Sequence, residues 1–323
     1  MGEPSLPQQP VRCLIGPTAS GKSGLAMEWV RRCAPGPVEI ISLDSAQIYR
    51  GLDLGTAKPS PQERAEVPHH LLDLRDPEEP YSVAQCHADV LTAVHSIRSR
   101  GAVPLLVGGT MLYFKALLEG LDQLPEAEPE VRAQIAQRAE AEGWPALHAR
   151  LAEVDPLTAG RLAPHDAQRI GRALEVWEQT GRSLSDWQRA SQLEPQDRLQ
   201  PLALNTVALI PEDRSWLHQR IAQRFEQMVA AGLLQEVSAL AERPGLSPDH
   251  PSMRSVGYRQ AWMHLRGELS REAFIQKGIE ATRQLAKRQI TWLRSFQQRG
   301  VVRALRAETA DSGQMMSVWS SPA

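Results

Sequence analysis

The segment "VRCLIGPTASGKSGLAMEWV", residues 11–30, constrains this chain more than any other. A short apolar run, 11–15, enters Gly16-Pro17-Thr18-Ala19-Ser20-Gly21-Lys22-Ser23. A stretch with Leu25, Trp29, Val30 and Cys33 at helical spacing leaves it. Strand, glycine loop and helix in that order are the context in which G-x-x-x-x-G-K-[ST] binds phosphate. Gly16 and Gly21 let the backbone turn and bring its N–H groups to oxygen. The helix that begins near Lys22 adds its positive end. Lys22 is a point charge for terminal phosphates, and the Ser23 hydroxyl is placed to ligate Mg2+. The plain alternative is a glycine turn that caps a helix. Phosphate binding by itself leaves three chemistries open: a kinase that transfers the phosphate, an NTPase switch that hydrolyses it, or an enzyme for which a diphosphate is the leaving group.

The rest of the chain sets the frame. "VEIISL" (38–43) and "AVPLLV" (102–107) read as buried strands, 82–100 as a helix, and Gly108-Gly109-Thr110 opens a further helix to Gly120. Strands alternating with helices predict an α/β fold with a doubly wound parallel sheet. Residues 122–198 carry helical patterns and no strand candidate, so they read as a helical insertion. "LALNTVALI" (202–210) returns as a strand. Helices follow, ending in a long basic one at 270–298 and an edge strand in "VVRAL". The catalytic core is therefore expected at 11–121 and 199–306, with 1–10 and 307–323 as loose ends.

The 323-residue chain carries a formal charge of −2, unevenly spread. Residues 251–306 hold twelve Lys and Arg against three Asp and Glu, whereas 122–156 hold eight acids against three Arg. Such asymmetry points to a polyanion on the basic side, or else to two solvated faces. No apolar run approaches the length of a membrane span, and "MGEPSLPQQP" lacks the basic lead and apolar core of a secretory signal. Cys13, Cys33 and Cys86 have no metal or redox spacing and fit a reducing, cytoplasmic setting.

Asp44 falls just after the second strand, where doubly wound folds place their ligands. A carboxylate there can reach Mg2+ through water, act as general base, or only bond its own turn. After the third strand the sequence has Gly108-Gly109-Thr110 and no acid. The glycines read as room for a flat or bulky ligand, and Thr110 offers a neutral hydroxyl.

"GPTASGKS", "SLDSAQIYRGLDLGTAKP", "PHHLLDL", "LLVGGTMLY", "DAQRIGRALEV", "MRSVGYRQ" and "ATRQLAKRQITWLR" together resemble the tRNA dimethylallyltransferase (tRNA isopentenylpyrophosphate transferase) family, from about 12 to 298. The resemblance implies a P-loop NTPase-like fold and transfer of a five-carbon group from dimethylallyl diphosphate to N6 of the adenine 3′ of the anticodon. The loop then holds a leaving group and transfers no phosphate. It assigns the diphosphate to Gly16, Pro17, Thr18, Ala19, Ser20, Gly21, Lys22 and Ser23, with Mg2+ on Ser23. An Arg of "LHQRIAQRFEQM" joins them, Arg224 in preference to Arg220. Asp44 takes the N6 proton and Thr110 lies near the reacting centre.

The same resemblance puts the tRNA anticodon stem-loop against Asp44, Ser45, Ala46, Gln47, Thr110 and Arg132. It adds Gln168, Arg169, Ile170, Gly171 and Arg172 of one helix, Arg254, Ser255, Val256, Gly257, Tyr258 and Arg259, and Arg283 with Lys287. Tyr258 beside Arg259 reads as a stacking platform for an unpaired base, with a core tyrosine as the alternative. Arg283, Lys287 and Arg294 form one stripe of the last helix, and Thr282, Ala286, Leu293 and Phe296 the inner one. Ser23 stands where Thr is commoner, and either hydroxyl can bind Mg2+. The length and the missing Cys/His finger of eukaryotic members point to a bacterial type, and a monomer is expected. His69-His70 reads as structural. The rival readings are a small-molecule kinase, a prenyltransferase of free adenine nucleotides and an RNA-binding NTPase switch.

Overall fold

The computed structural model describes residues 9–32, 34–122, 124–126, 128–193 and 198–320. Cys33 and most of the expected N-terminal arm lie outside them. The chain forms two compact units, Met1–Leu118 with Leu202–Ala323, and Glu119–Pro201. In chain order the first opens with β1 (Val11–Ile15), α1 (Lys22–Arg32), β2 (Val38–Leu43), α2 (Pro61–Glu66), β3 (His69–His70), α3 (Val83–Ser99), β4 (Val103–Gly108) and α4 (Met111–Glu119). The second holds β5 (Leu121–Asp122), α5 (Pro129–Glu142), α6 (Trp144–Val154), α7 (Pro156–Ala159), α8 (Ala167–Thr180), α9 (Leu184–Leu193) and β6 (Arg198–Leu199). The first resumes with β7 (Leu204–Ile210), α10 (Arg214–Ala230), α11 (Leu233–Ala241), α12 (Tyr258–Leu265), α13 (Arg271–Gln298), β8 (Arg303–Arg306) and α14 (Ser312–Ser320).

The first unit is built on a six-stranded parallel sheet ordered β3-β2-β4-β1-β7-β8. Its central strands are apolar on both faces because both faces are covered by helices. Cys13, Ile15, Ile41, Leu43, Leu106 and Ala208 pack under α3, α4 and the end of α13. Leu14, Ile40, Leu105, Val107, Val207 and Leu209 face α1 and α14. A third cluster joins α10 to α13 through Ile221, Phe225, Val237, Trp262 and Phe274. Gly108 pairs with both Ile15 and Leu43, so the loops after β1, β2 and β4 leave the sheet at one level. A Cβ at Gly108 would collide with the Leu43 carbonyl. That glycine therefore admits a neighbouring strand, where the sequence pattern had favoured a ligand.

The C-terminal stretch departs from the expected loose end. The α14 helix buries Met315 and Trp319 against the back of α1. The Trp319 ring meets Trp29 edge-on at 4.9 Å, and its Nε1–H donates to the Asn205 carbonyl at 3.0 Å while Asn205 Nδ2 donates back to the Trp319 carbonyl at 3.2 Å. Since α1 carries Lys22 and Ser23, this contact backs the phosphate loop. Trp319→Ala is expected to lower stability by about 3 kcal/mol, read from the urea midpoint; an unchanged midpoint would show that α14 adds nothing to the core.

The second unit is helical around Ile135, Leu151, Ile170 and Leu174. Its two short strands, β5 and β6, pair antiparallel, a feature too brief to leave a periodic signal.

Candidate active site

The phosphate loop closes on itself and on its neighbours. Ala19 sits at φ 62° and Gly21 at φ 91°, the left-handed region that lets successive N–H groups turn inward. Arg220 from α10 donates Nε–H to the Ala19 carbonyl at 2.9 Å and stacks on Trp216 at 4.9 Å. Lys22 Nζ reaches the Pro17 carbonyl at 3.3 Å.

The loops after β2 and β4 are tied together beside it. The Leu43 carbonyl accepts the N–H groups of Gly109 and Thr110, at 3.2 and 3.1 Å. The Ser45 N–H donates to Thr110 Oγ1 at 3.0 Å. Asp44 Oδ1 accepts the Ala46 N–H at 2.9 Å, so the self-bonded turn is present. Among the described residues Oδ2 has no such bond.

Lys22, Asp44, Thr110 and Arg224 line one cavity of about 830 Å3. Burial, with help from Arg224 and against the pull of Asp44, pushes the Lys22 ammonium down to about 8. Burial also lowers Arg224, opposed by Asp44. Two desolvated cations and one carboxylate in a half-closed cavity make a site that gains by taking up an anion. Lys22 is charged below about pH 8 and neutral above it, and a bound diphosphate favours the charged form. The affinity of the wild type for inorganic diphosphate, relative to Lys22→Met, is therefore expected to be full below pH 8. It should fall by up to about tenfold per pH unit above. Calorimetry from neutral to alkaline pH checks this, and a constant ratio would contradict it.

The "MRSVGYRQ" motif is brought to the same cavity, with Arg254, Ser255, Val256 and Gly257 on its wall. Tyr258 is a correction. It is fully buried, its hydroxyl donates to Glu236, and its ring occupies the space a Cβ on Gly55 would need. It therefore cannot stack a base. Arg259 is exposed on α12 and does not line the cavity. Gln47 also turns inward: its amide accepts from Ser42 Oγ at 2.9 Å and donates to the Thr56 and Ala57 carbonyls, both at 3.2 Å. On α13, Lys287 is exposed and Arg283 half-buried, and neither lines the cavity. Arg288 and Trp292 of the same helix do.

In the second unit Gln168 and Arg169 are exposed on α8. Ile170 is in the core and Gly171 lies against the Trp144 ring, so neither can touch RNA as a side chain. Arg132 and Arg172 converge on the buried Glu175, at 3.0 and 3.4 Å, and Arg172 also holds the Pro125 carbonyl at 2.6 Å. That carboxylate gives both arginines, Arg132 of the acidic stretch and Arg172 of α8, a partner within the unit. His70 bonds Glu39 at 2.6 Å and His69 the Val67 carbonyl at 2.7 Å, both structural contacts.

Three residues of the site were not singled out from the sequence. Glu236 gathers the Leu54 N–H at 2.7 Å, the Gly55 N–H at 3.4 Å and the Tyr258 hydroxyl. Lys58, its side chain 1% exposed, binds Asp53 and Asp73, each at 2.6 Å. Gln289 reaches the phosphate loop from α13. Only Gln289 had a signal: it occupies a position of the inner stripe of α13, between Ala286 and Leu293, where an apolar residue is expected.

A phosphate loop at the switch point of a parallel sheet, with two half-buried cations, Lys22 and Arg224, on its cavity, is the architecture of a P-loop α/β enzyme. The two glycines and the threonine at the end of β4 set it apart from NTPases that place an acid there. The chain belongs to the IPP transferase family, whose profile matches residues 47–296. It is 56% identical over 304 residues to a tRNA dimethylallyltransferase of Alkalilimnicola ehrlichii, covering 94% of this chain and 93% of that one. Among solved structures it resembles the full-length tRNA isopentenylpyrophosphate transferase of Bacillus halodurans, with TM-score 0.66 and 31% identity over 97% of this chain and 95% of that one. It also resembles a eukaryotic dimethylallyltransferase acting on tRNA, with TM-score 0.76 and 26% identity over 93% of this chain and 74% of that one.

Proposed function

We propose that this chain transfers the dimethylallyl group of dimethylallyl diphosphate to N6 of the adenine immediately 3′ of the anticodon in tRNA, releasing diphosphate. One observation carries the reading: Asp44 and Thr110, tied through Ser45, face the same cavity as the Lys22–Arg224 cation pair. A base and a leaving-group site in one cavity are what a displacement at carbon requires.

The exocyclic amine is a weak nucleophile because its lone pair is delocalised into the ring. Asp44 Oδ2 accepts the N6 proton as the N6–C1 bond forms and the C1–O bond breaks. The electron pair of that bond leaves on the diphosphate, which Lys22, Arg224 and the N–H groups of the 16–23 loop stabilise. Thr110 orients the amine. The residues also fit Mg2+: Ser23 Oγ and the Asp44 carboxylate are hard oxygen donors on one cavity wall, and Mg2+ is commonly held by one or two protein oxygens plus substrate phosphates. Ser23 would hold it, Asp44 through water. When bound it neutralises charge on the departing diphosphate.

A stacked adenine cannot reach a carboxylate inside a cavity, so the base is flipped out of the anticodon loop. Arg254 on the cavity wall and the exposed Lys287 and Arg288 of α13 supply positive charge for the RNA backbone. Gln168 and Arg169 offer a polar face on α8. No described helix is long and apolar enough to cross a membrane. The buried Cys13 and Cys86, whose thiols burial pushes up to about 12, are free. We read the enzyme as a cytoplasmic monomer.

The kinase and NTPase readings are separated from this one by isotope. With RNA and γ-labelled ATP no label should reach RNA or appear as phosphate, whereas labelled dimethylallyl diphosphate should label the RNA. The opposite pattern overturns the proposal.

A further inference from the structure

One buried amide joins two parts of the site that are far apart in sequence. Gln289 Oε1 accepts the Thr18 N–H at 2.9 Å, and its Nε2 donates to the Gly109 carbonyl at 2.8 Å. The residue is 8% exposed, where an unpaired amide would be strongly unfavourable, and both ends of its amide are matched. Gly109 makes room for it: a Cβ there would stand 2.8 Å from Nε2 and 3.1 Å from the Gly16 carbonyl. Behind Gln289, α13 is anchored in the core by Ala286, Leu293 and Phe296, so the amide projects from a fixed element.

We propose that Gln289 is a positioning residue: it clamps the phosphate loop at Thr18 to the Gly109–Thr110 loop, and so fixes the leaving diphosphate relative to the attacking amine. The inference rests on the prenyl-transfer reading for its kinetic consequence. Gln289 touches neither reacting atom. It sets the separation between the loop that holds one reactant and the loop that orients the other. Displacement in line tolerates little error in that separation. The two backbone partners demand an acceptor and a donor from one planar group, which Gln supplies and Glu, Met or Leu does not. Glu keeps the acceptor for Thr18 but turns a second oxygen toward the Gly109 carbonyl.

The test is single-turnover transfer to an anticodon stem-loop at saturating dimethylallyl diphosphate, with rate constant and amplitude read separately. Gln289→Met is expected to lower the rate constant about 100-fold at full amplitude. Gln289→Glu is expected to be slow near neutral pH and to recover relative to the wild type as the pH falls, because a protonated carboxyl regains a donor for Gly109. A purely structural role would lower amplitude and leave the rate constant and the pH profile of the ratio unchanged; that result overturns the proposal, as does a wild-type rate in either variant. Calorimetry with inorganic diphosphate on the same proteins keeps the two readings apart. A wild type that binds diphosphate but transfers nothing refutes the prenyl-transfer reading. In that case the clamp stands if Gln289→Met weakens diphosphate binding by about tenfold and falls if it does not.

Discussion

Asp44→Asn is expected to lower the rate of prenyl transfer at saturating substrates by about 10^3-fold, a loss far larger than any change in the affinities for RNA and inorganic diphosphate. The amide keeps the Oδ1 acceptor that Asp44 uses for the Ala46 N–H at 2.9 Å, so the turn after β2 survives. What it removes is the second oxygen's capacity to take a proton. Without a base the amine must attack while still carrying its full complement of hydrogens, and the proton it must lose has no carboxylate beside it to accept it. Single-turnover rates with saturating substrates report this step alone. A loss confined to RNA binding, with the rate preserved at saturation, would demote Asp44 to a turn residue.

The second large effect separates two arginines one turn apart on α10. Arg220 is committed: its Nε–H holds the Ala19 carbonyl at 2.9 Å and its guanidinium lies on Trp216. Arg224 has neither a hydrogen bond nor an ion pair with any described residue. It lines the cavity that Lys22 and Asp44 share and is desolvated there. Arg224→Met should therefore lower kcat/KM for dimethylallyl diphosphate by about 10^2 to 10^3. Arg220→Met should act through the loop it braces, with a loss of about tenfold. Equal losses, or the larger loss at Arg220, would place the diphosphate on the other arginine.

Much of the first unit was legible because its signals are local. The 16–23 loop, the β-branched run of β2 and the apolar β4 announce themselves within a dozen residues, and their order implies a parallel sheet. Asp44 and Thr110 were legible for the same reason, as the first polar groups beyond strand ends. Tyr258 was not. Whether a tyrosine beside an arginine stacks a base or fills a core depends on Gly55 and Glu236, which stand elsewhere in the chain. The shared partner of Arg132 and Arg172 was hidden in the same way, since the Glu175 carboxylate lies on α8 and becomes visible only once the helices pack. Gly108, which ends β4, is required by the Leu43 carbonyl and Gly109 by Gln289, where pattern alone favoured a ligand. The α14 helix was obscured by short polar residues around Met315 and Trp319, although those two side chains carry its packing.

The most direct measurement is the mass of an unmodified anticodon stem-loop after incubation with the wild-type chain, Mg2+ and dimethylallyl diphosphate, with fragment masses that locate the change. The account predicts a gain of one C5H8 unit on the adenine immediately 3′ of the anticodon and release of diphosphate. That gain should disappear in Asp44→Asn. An unmodified RNA, or a gain placed on another base, would contradict it.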